Sequence, residues 1–134
     1  LSNCVFGMLA CQIGYYDEAY EYFAQSARMD LDDYHDNFYA GIHAANMAGT
    51  WQAIINGFAG VRVNGGELEL HPYVPKLWKS MQFNLLYRGS RLNIQLTHEK
   101  TRIELVSGEA VSLRINEKEI RLDTGKGSVY GEEI

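Results

Sequence analysis

Basic residues and long apolar runs are scarce in this chain, and each shortage excludes a class of partner. The 12 lysines and arginines face 17 acidic residues, which gives a net charge of −5 and a pI near 5.3. Nucleic acids and anionic membranes bind proteins through a basic face, so we expect neither as a partner. The apolar runs, such as Ala53 to Ile55, are far shorter than the ~20 residues that span a bilayer.

Cysteine is also scarce, and the sequence shows neither a signal peptide nor an initiator methionine. Cys4 and Cys11 are seven positions apart in one helical pattern, and about 10 Å along a helix is beyond the reach of a disulfide. Reduced, buried cysteines are typical of a cytoplasmic protein. Because the chain begins at Leu1 in apolar, helix-like sequence, we expect it to be a fragment of a longer protein.

The chain does contain enough apolar sequence for a folded core. Its 134 residues are 46% hydrophobic and 12% aromatic, which suits one compact domain, or a small domain joined to part of another. The spacing of the apolar residues changes near residue 60 from a period of three to four to a period of two. We therefore predict an α+β fold, with helices before residue 60 and strands after it.

Three helices are predicted in residues 1–60. The first carries an apolar stripe from Val5 to Ile13 and ends at Gly14. The second starts at a capping Asp17, and the third runs from position 41 to about position 58. The acidic stretch 30–37 between them is predicted to be a loop. The third helix is apolar on nearly all sides, so we interpret this part as the end of a larger helical domain.

Residues 61–134 are predicted to form an antiparallel β-sandwich or barrel. Alternating apolar residues flank N-G-G at 64–66, which is a strong hairpin signal. Further strands are predicted at 81–87, 92–97, 102–106, 111–115 and 119–122. The segment H-P-Y-V-P-K-L-W at 71–78 interrupts the strands and is predicted to cross between sheets. The tail 125–134 has little apolar support and is expected to fray.

The most unusual residue of the chain is His43, in G-I-H-A-A near the start of the third helix. A histidine in the first turn of a helix lies beside unpaired backbone N–H groups and the positive end of the helix dipole, where an anion is favoured. Its ring can donate hydrogen bonds to phosphate. The alternative is a core histidine that is hydrogen-bonded to a neighbouring carbonyl, and spacing alone favours this alternative.

The aspartates of the stretch 30–36 permit two functional interpretations, a metal loop and an acid–base pair. The glycine and the terminal glutamate of a calcium loop are missing, so helix capping and solvation explain these carboxylates better. His35 and His43 have no third ligand at a helical spacing, so no metal site is expected. His71 and His98 fall at strand ends or turns and are expected to be solvated.

Four segments, in order along the chain, resemble glycoside hydrolase family 65, which contains maltose, trehalose and kojibiose phosphorylases. The likeness is closest to the maltose phosphorylase-like members. The segments are A-R-M-D-L-D-D-Y, G-I-H-A-A-N-M-A-G-T-W, I-I-N-G-F-A-G-V-R-V and L-E-L-H-P-Y-V-P-K-L-W-K-S-M-Q-F. The opening L-S-N-C-V-F-G-M-L-A is also similar to a family segment. The resemblance covers roughly residues 1 to 90, and the later strands agree only in pattern.

The resemblance implies a fold and a reaction. Residues 1–60 would be the last helices of an (α/α)6 barrel catalytic domain, and residues 61–134 a C-terminal β-sandwich. The reaction would be phosphorolysis, with inversion, of an α-linked glucose disaccharide to β-glucose 1-phosphate. Inorganic phosphate would be the co-substrate and no other cofactor is expected. His43 occupies the position of the family's phosphate-binding histidine, and Ser2 belongs to a serine-containing segment that also helps to bind phosphate. We expect the full-length protein to be a homodimer.

Two departures from the family pattern limit what this chain does alone. The general-acid glutamate of the family lies far upstream, so we expect no catalytic residue here and an inactive fragment. Phe6 stands where many members carry a histidine, so no polar role is expected at that position. Two alternatives remain, a family member that hydrolyses its substrate, and a non-catalytic structural or carbohydrate-binding module.

Overall fold

The computed structural model describes residues 2–33, 36, 38–124 and 129–133. The chain divides into two compact units, Leu1–Phe58 and Ala59–Ile134. The first unit is helical and the second is built of strands, so helices and sheets are segregated along the chain, as in the predicted α+β class. Among the described residues, none of the helices combines the length and the apolar character that crossing a membrane takes.

The described residues of the first unit form four α-helices, a 3-10 turn and a π-helical segment. In chain order they are α1 (Asn3–Gln12), α2 (Tyr16–Ala27), α3 (Met29–Asp32), the 3-10 turn Phe38–Ala40, α4 (Ala44–Gln52) and the π-helical segment Ala53–Phe58. Helix α1 ends at Gln12, and Gly14, the predicted stop, follows two residues later with a φ of +82°. The N–H groups of Gly14 and Tyr15 donate to the carbonyls of Cys11 and Ala10, a Schellman arrangement that satisfies the end of the helix.

Three boundaries of the helical unit differ from the predictions. Helix α2 begins at Tyr16, so Asp17 lies in its first turn, where its charge complements the helix dipole, and is not the cap. The stretch predicted as a loop contains α3, in which Met29 is buried. Helix α4 begins at Ala44 and not at Gly41, because Gly41 has a φ of +92°, outside the helical region. Residues 34, 35 and 37 lie outside the described residues.

Helices α1 and α2 pack in opposite directions. The side chain of Asn3, at the start of α1, donates to the side chain of Gln25, near the end of α2, over 3.0 Å. Further along, Gly7 of α1 lies against Tyr22 of α2. The residue numbers fall on one helix as they rise on the other, which is the signature of an antiparallel helical hairpin.

Helices α1 and α4 pack in the same direction. Gly49 of α4 lies against Cys4, and Gly57 of the π-helical segment lies against Met8 and Cys11. Both cysteines are buried thiols that are not joined to each other. The numbers therefore rise together along the two helices, and the N-termini of α1 and α4 lie at the same end of the helical unit.

In the described part of the second unit, eight strands form two four-stranded sheets. They are β1 (Arg62–Asn64), β2 (Glu67–Leu70), β3 (Ser80–Tyr87), β4 (Ser90–Thr97), β5 (Lys100–Ser107), β6 (Val111–Ile115), β7 (Lys118–Leu122) and β8 (Val129–Glu133). One sheet has the order β1-β2-β6-β7 and the other the order β3-β4-β5-β8. The predicted N-G-G hairpin joins β1 to β2, and Gly65 and Gly66 both have positive φ, the backbone of a type I′ turn.

Each sheet has one buried face. Alternate residues of the central strands are buried, in the period of two that the sequence shows. The fully buried apolar side chains of the described strands come from both sheets and are Leu68, Leu70, Leu92, Ile94, Leu96, Ile103, Leu113, Ile115 and Leu122. Two sheets with one buried face each are typical of a two-layer β-sandwich.

Two features of the sheets differ from the predictions. Strands β2 and β6 pair in parallel, with Leu68 opposite Leu113, so the first sheet is mixed and not antiparallel. The long connection between these strands carries the chain through the other sheet, which lets β6 return in the direction of β2. The tail that was expected to fray contains β8, which pairs with β5. Residues 125–128 and 134 lie outside the described part.

Candidate functional site

Asp30 and His43 form a close pair at the N-terminus of α4. One carboxylate oxygen of Asp30, Oδ2, accepts the backbone N–H of His43 over 3.0 Å. The other, Oδ1, lies 2.5 Å from Nδ1 of the imidazole ring. The two side chains are 22% and 19% exposed. Both oxygens of one carboxylate are thus engaged by one histidine, through its main chain and through its ring.

His43 is the N-cap residue of α4, with φ −90° and ψ 75°. Its carbonyl accepts the N–H groups of Asn46 and Met47 over 2.9 and 3.0 Å, which starts the helix. The imidazole therefore lies one residue before the helix and not in its first turn, as was predicted, but it is still beside the positive end of the helix dipole. The hydrogen-bond partner of Nδ1 is thus a carboxylate and not a neighbouring carbonyl.

The hydrogen bond from the His43 ring lowers the pKa of the Asp30 carboxyl below its ordinary value. The backbone N–H of His43 and the charge of its ring act in the same direction, and burial opposes them. Asp30 is therefore an anion at neutral pH. Because a carboxylate only accepts hydrogen bonds, Nδ1 of His43 carries a proton, and the other ring nitrogen carries a second proton only when the ring is an imidazolium.

Ser2, the second predicted phosphate-binding residue, lies at the same end of the helical unit as His43. It is the N-cap residue of α1, it is exposed, and its side chain makes no capping hydrogen bond. Because α1 and α4 run in the same direction, the N-termini that follow Ser2 and His43 lie at one end of the unit. Two helix N-termini at one end of a unit present backbone N–H groups and partial positive charge, which suit an anion.

A buried polar cluster joins α2 to the first turns of α4 beside this pair. The hydroxyl of Ser26 lies 2.7 Å from the side-chain oxygen of Asn46 and 2.9 Å from the hydroxyl of Thr50. The amide of Asn46 donates to the carbonyl of Ser26 over 2.7 Å, and Ser26 and Asn46 are each only 2% exposed. A cavity of about 200 Å³ adjoins the cluster and is lined by Ser26, Ala27, Asp30, Asn46, Met47 and Thr50. These bonds fix the first turns of α4, and with them the backbone next to His43, against α2.

The other acidic residues of the stretch have different partners. Asp32 forms an ion pair of 2.6 Å with Arg28 one helical turn earlier, and Asp33 ends α3 with a φ of +49°. The prediction that capping and solvation account for these carboxylates is therefore wrong for Asp30, which binds His43.

In the described residues no three histidines, cysteines or carboxylates come together in a way that would hold a metal ion. His35 lies outside those residues.

The remaining residues that the sequence singled out have partners of their own. Phe6 packs its ring 5.7 Å from the ring of Tyr22, a contact that suits an apolar role. His71 lies 3.6 Å from a carboxylate oxygen of Glu69. His98 is exposed, with a ring nitrogen 2.6 Å from the carbonyl of Trp78. Both of these histidines belong to the second unit, where they contact protein groups as well as solvent.

Comparison with known families assigns both units. Residues 1–52 match the glycosyl hydrolase family 65 central catalytic domain, and residues 61–122 match the glycosyl hydrolase family 65 C-terminal domain. The two matches follow each other in order and together cover most of the chain. The chain belongs to glycosyl hydrolase family 65. The Asp30–His43 pair and Ser2 lie in the part of this family 65 chain that matches the catalytic domain.

Individual relatives of this family 65 chain are phosphorylases by name. It is 48% identical over 126 residues to an alpha,alpha-trehalose phosphorylase of Thermoanaerobacter brockii. This alignment covers 94% of the chain and 16% of that relative. It is 34% identical over 122 residues to a maltose phosphorylase of Bacillus subtilis (strain 168), which covers 91% of the chain and 16% of the relative. The chain thus spans about a sixth of the length of these relatives.

A solved structure shares the fold of the family 65 chain. It carries the name "Putative kojibiose phosphorylase from human microbiome" and superimposes with a TM-score of 0.90 at 25% sequence identity. The match covers 100% of this chain and 17% of the other. The helical and the stranded parts therefore both have counterparts in that structure.

Proposed function

We propose that the protein to which this chain belongs is an inverting glycoside phosphorylase, and that His43 and Ser2 bind its phosphate. The enzyme cleaves an α-linked glucose disaccharide with inorganic phosphate and gives β-glucose 1-phosphate and a free sugar. Support comes from the family and from relatives that are named for phosphorolysis of trehalose and maltose. Among these two, the identity is higher to the trehalose phosphorylase, so trehalose joins maltose as a candidate substrate.

The reaction requires a group that delivers phosphate to the anomeric carbon. In an inverting cleavage a carboxylic acid protonates the leaving oxygen while a nucleophile attacks the opposite face of the sugar. Phosphate takes the place of water as that nucleophile, so the glycosidic C–O bond breaks as a C–O bond to phosphate forms. The acid is expected in the part of the catalytic domain that precedes this chain, and the contribution of this chain is to hold the phosphate.

The Asp30–His43 contact is the observation that carries the phosphate role of His43. The ring donates from Nδ1 to Asp30, and as an imidazolium it donates a second hydrogen bond from Nε2 to an anion. It does so beside the N-terminus of α4, where backbone N–H groups favour negative charge. Ser2 adds a hydroxyl at the N-terminus of α1. Inorganic phosphate is then a co-substrate, and no further cofactor is proposed.

The helical unit is proposed to be the last part of an (α/α)6 barrel. Apolar side chains on α1 are about half exposed, among them Val5 and Leu9, and Met47 and Trp51 of α4 are similar. Earlier helices of the same polypeptide would cover these faces. The second unit is proposed as the C-terminal β-sandwich of the enzyme. A homodimer of the full-length protein and a cytoplasmic location remain predictions.

The test is a comparison of reactions with and without phosphate in the full-length protein. Trehalose, maltose and kojibiose are each incubated with the protein, and glucose 1-phosphate is measured together with free glucose. We expect glucose 1-phosphate from one of these sugars, and release of free glucose without phosphate would show a hydrolase instead. We further expect His43→Ala to raise the KM for phosphate at least tenfold, since it removes a charge-assisted hydrogen bond of about 1.5–3 kcal/mol. An unchanged KM for phosphate in this variant would remove His43 from the site.

A further inference from the structure

Asp30 is not among the residues that the sequence predicted to bind phosphate. We propose that Asp30 is a positioning residue for phosphate binding, and that it acts through His43 without touching the phosphate itself. The inference rests on the proposed phosphate role of His43. Its basis is the double contact, in which one carboxylate binds the main chain and the ring of the same histidine.

The double contact restricts the histidine in two ways. The bond to the backbone N–H fixes the main chain of His43 at the residue where α4 begins, over 3.0 Å. The bond to Nδ1 restricts rotation of the ring, because the acceptor Oδ1 belongs to the same rigid carboxylate. With Nδ1 directed at Asp30, Nε2 faces the opposite side of the ring. The position of the ring is therefore set before phosphate arrives, and preorganisation of this kind strengthens binding.

The carboxylate itself comes from a fixed element. Asp30 lies within α3, next to Met29, which is only 5% exposed and anchors this short helix in the core. On the other side, the Ser26–Asn46 bonds hold the first turns of α4. Both ends of the Asp30–His43 contact are thus attached to packed helices, and the contact does not depend on a mobile side chain at the surface.

The charges of the pair also favour this role. An imidazolium that donates to phosphate from Nε2 carries positive charge, and the Asp30 carboxylate on its other side balances that charge. A carboxylate close to a phosphate would repel it if nothing lay between the two charges. Here both oxygens of Asp30 accept hydrogen bonds from His43. The negative charge of Asp30 therefore faces the histidine and not the phosphate. Losing the carboxylate that orients a functional histidine typically costs 10- to 100-fold in affinity or activity at metal sites.

The experiment uses steady-state phosphorolysis by the full-length protein, with inorganic phosphate varied at a saturating concentration of the disaccharide. The variants are Asp30→Ala, His43→Ala and the double variant, with Asp30→Asn as an isosteric change that keeps an acceptor for the backbone N–H. Asp32→Asn is the matched control, because Asp32 lies on the same helix and carries the same charge but pairs with Arg28. The thermal unfolding temperature is measured for each variant.

We expect Asp30→Ala to raise the KM for phosphate about tenfold or more, while the KM for the disaccharide changes little. In the His43→Ala background the same substitution should have no further effect on the KM for phosphate, because Asp30 acts through the histidine. A loss of fold alone would instead lower kcat and the unfolding temperature without this dependence on His43. If Asp30→Ala does not fold, Asp30→Asn carries the test, with a smaller rise expected.

Three results would overturn the inference while leaving the proposed function intact. They are an unchanged KM for phosphate in Asp30→Asn and in any folded Asp30→Ala, an equal rise in Asp32→Asn, and additive effects of Asp30→Ala and His43→Ala. If instead His43→Ala leaves the KM for phosphate unchanged, the proposed phosphate role of His43 fails first, and the role of Asp30 fails with it.

Discussion

Gly49 of α4 lies directly against Cys4 of α1. A Cβ atom at position 49 would stand 2.5 Å from the Sγ atom of Cys4 and 3.0 Å from its Cβ. Real Cβ atoms do not approach other atoms so closely, and interiors at crystal-like density have no spare room for one more methyl group. The absence of a side chain at position 49 therefore sets the distance between the two helices whose N-termini carry Ser2 and His43.

We expect Gly49→Ala to destabilise the protein by about 1–3 kcal/mol, the usual cost of overpacking a core. On helix propensity alone the same substitution would stabilise α4 by about 1 kcal/mol, so the two effects predict opposite signs. Gly57→Ala is the control, because its Cβ would meet Cys11 and Met8 at ordinary contact distances of 3.5 and 3.6 Å. Chemical denaturation of the unaltered protein and the two variants decides between these effects. Equal stability of Gly49→Ala and Gly57→Ala would contradict the close contact between Gly49 and Cys4.

The Asp30–His43 contact predicts a specific pH dependence. The pKa of Asp30 is lowered in the folded protein, relative to about 3.9 in an unfolded chain. The contact therefore contributes its stability above about pH 4, and this contribution is lost as the pH falls through the lower pKa of the folded state. We expect the ¹³C resonance of the Asp30 carboxyl to titrate below its ordinary range, and to return toward it in His43→Ala. Titration at the ordinary value in the unaltered protein would contradict the contact.

Ser2 is predicted to contribute less to phosphate binding than His43 does. Its hydroxyl offers one neutral hydrogen bond, worth about 0.5–1.5 kcal/mol, while the backbone N–H groups at the start of α1 remain in any variant. We expect Ser2→Ala to raise the KM for phosphate between about twofold and tenfold, less than His43→Ala does. Ser107→Ala, at an exposed position of β5 in the other unit, is the control and should leave the KM unchanged. No rise in Ser2→Ala would remove Ser2 from the phosphate site.

Two glycines in the second unit allow the stability cost of backbone strain to be measured apart from the cost of a steric clash. Gly108 has a φ of +102°, and a Cβ there would stand 2.5 Å from the Cα of Ser90. Gly89 has a φ of +81°, but a Cβ there would meet nothing within 4 Å. Gly89→Ala should therefore cost only the left-handed backbone, about 1–2 kcal/mol, and Gly108→Ala clearly more. Thermal unfolding of the two variants measures the difference, and a smaller loss for Gly108→Ala would be inconsistent with this packing.

Local signals in the sequence predicted the local structure well. Gly14 ends α1 because a glycine tolerates a positive φ, and this property depends on one residue. The turn at Gly65 and Gly66 similarly follows from two adjacent glycines between alternating strands. The end of the helical run and the start of the strands could be read from the change of period near residue 60.

Relationships between distant residues were not available from the sequence. Asp30 and His43 are 13 positions apart, and nothing in the spacing distinguishes Asp30 from the other three aspartates of its stretch. Their difference arises from α3, whose first residue Met29 is buried and so turns one aspartate toward α4. The parallel pairing of β2 with β6 escaped prediction for a related reason, since alternation shows which face is buried and not which strand is the neighbour.

The parallel pair also constrains the order in which the second unit can fold. Glu69 and Arg114 are neighbours across β2 and β6 although they lie 45 positions apart in the chain. Contacts over such separations form slowly, because the entropy of closing the loop is lost before any contact is gained. The hairpins β3–β4 and β4–β5 pair strands that follow each other directly in the chain, so they can form first. The short hairpin of β1 and β2 then lacks a third strand until β6 has been synthesised, so a ribosome must complete most of this unit before its first sheet can become stable.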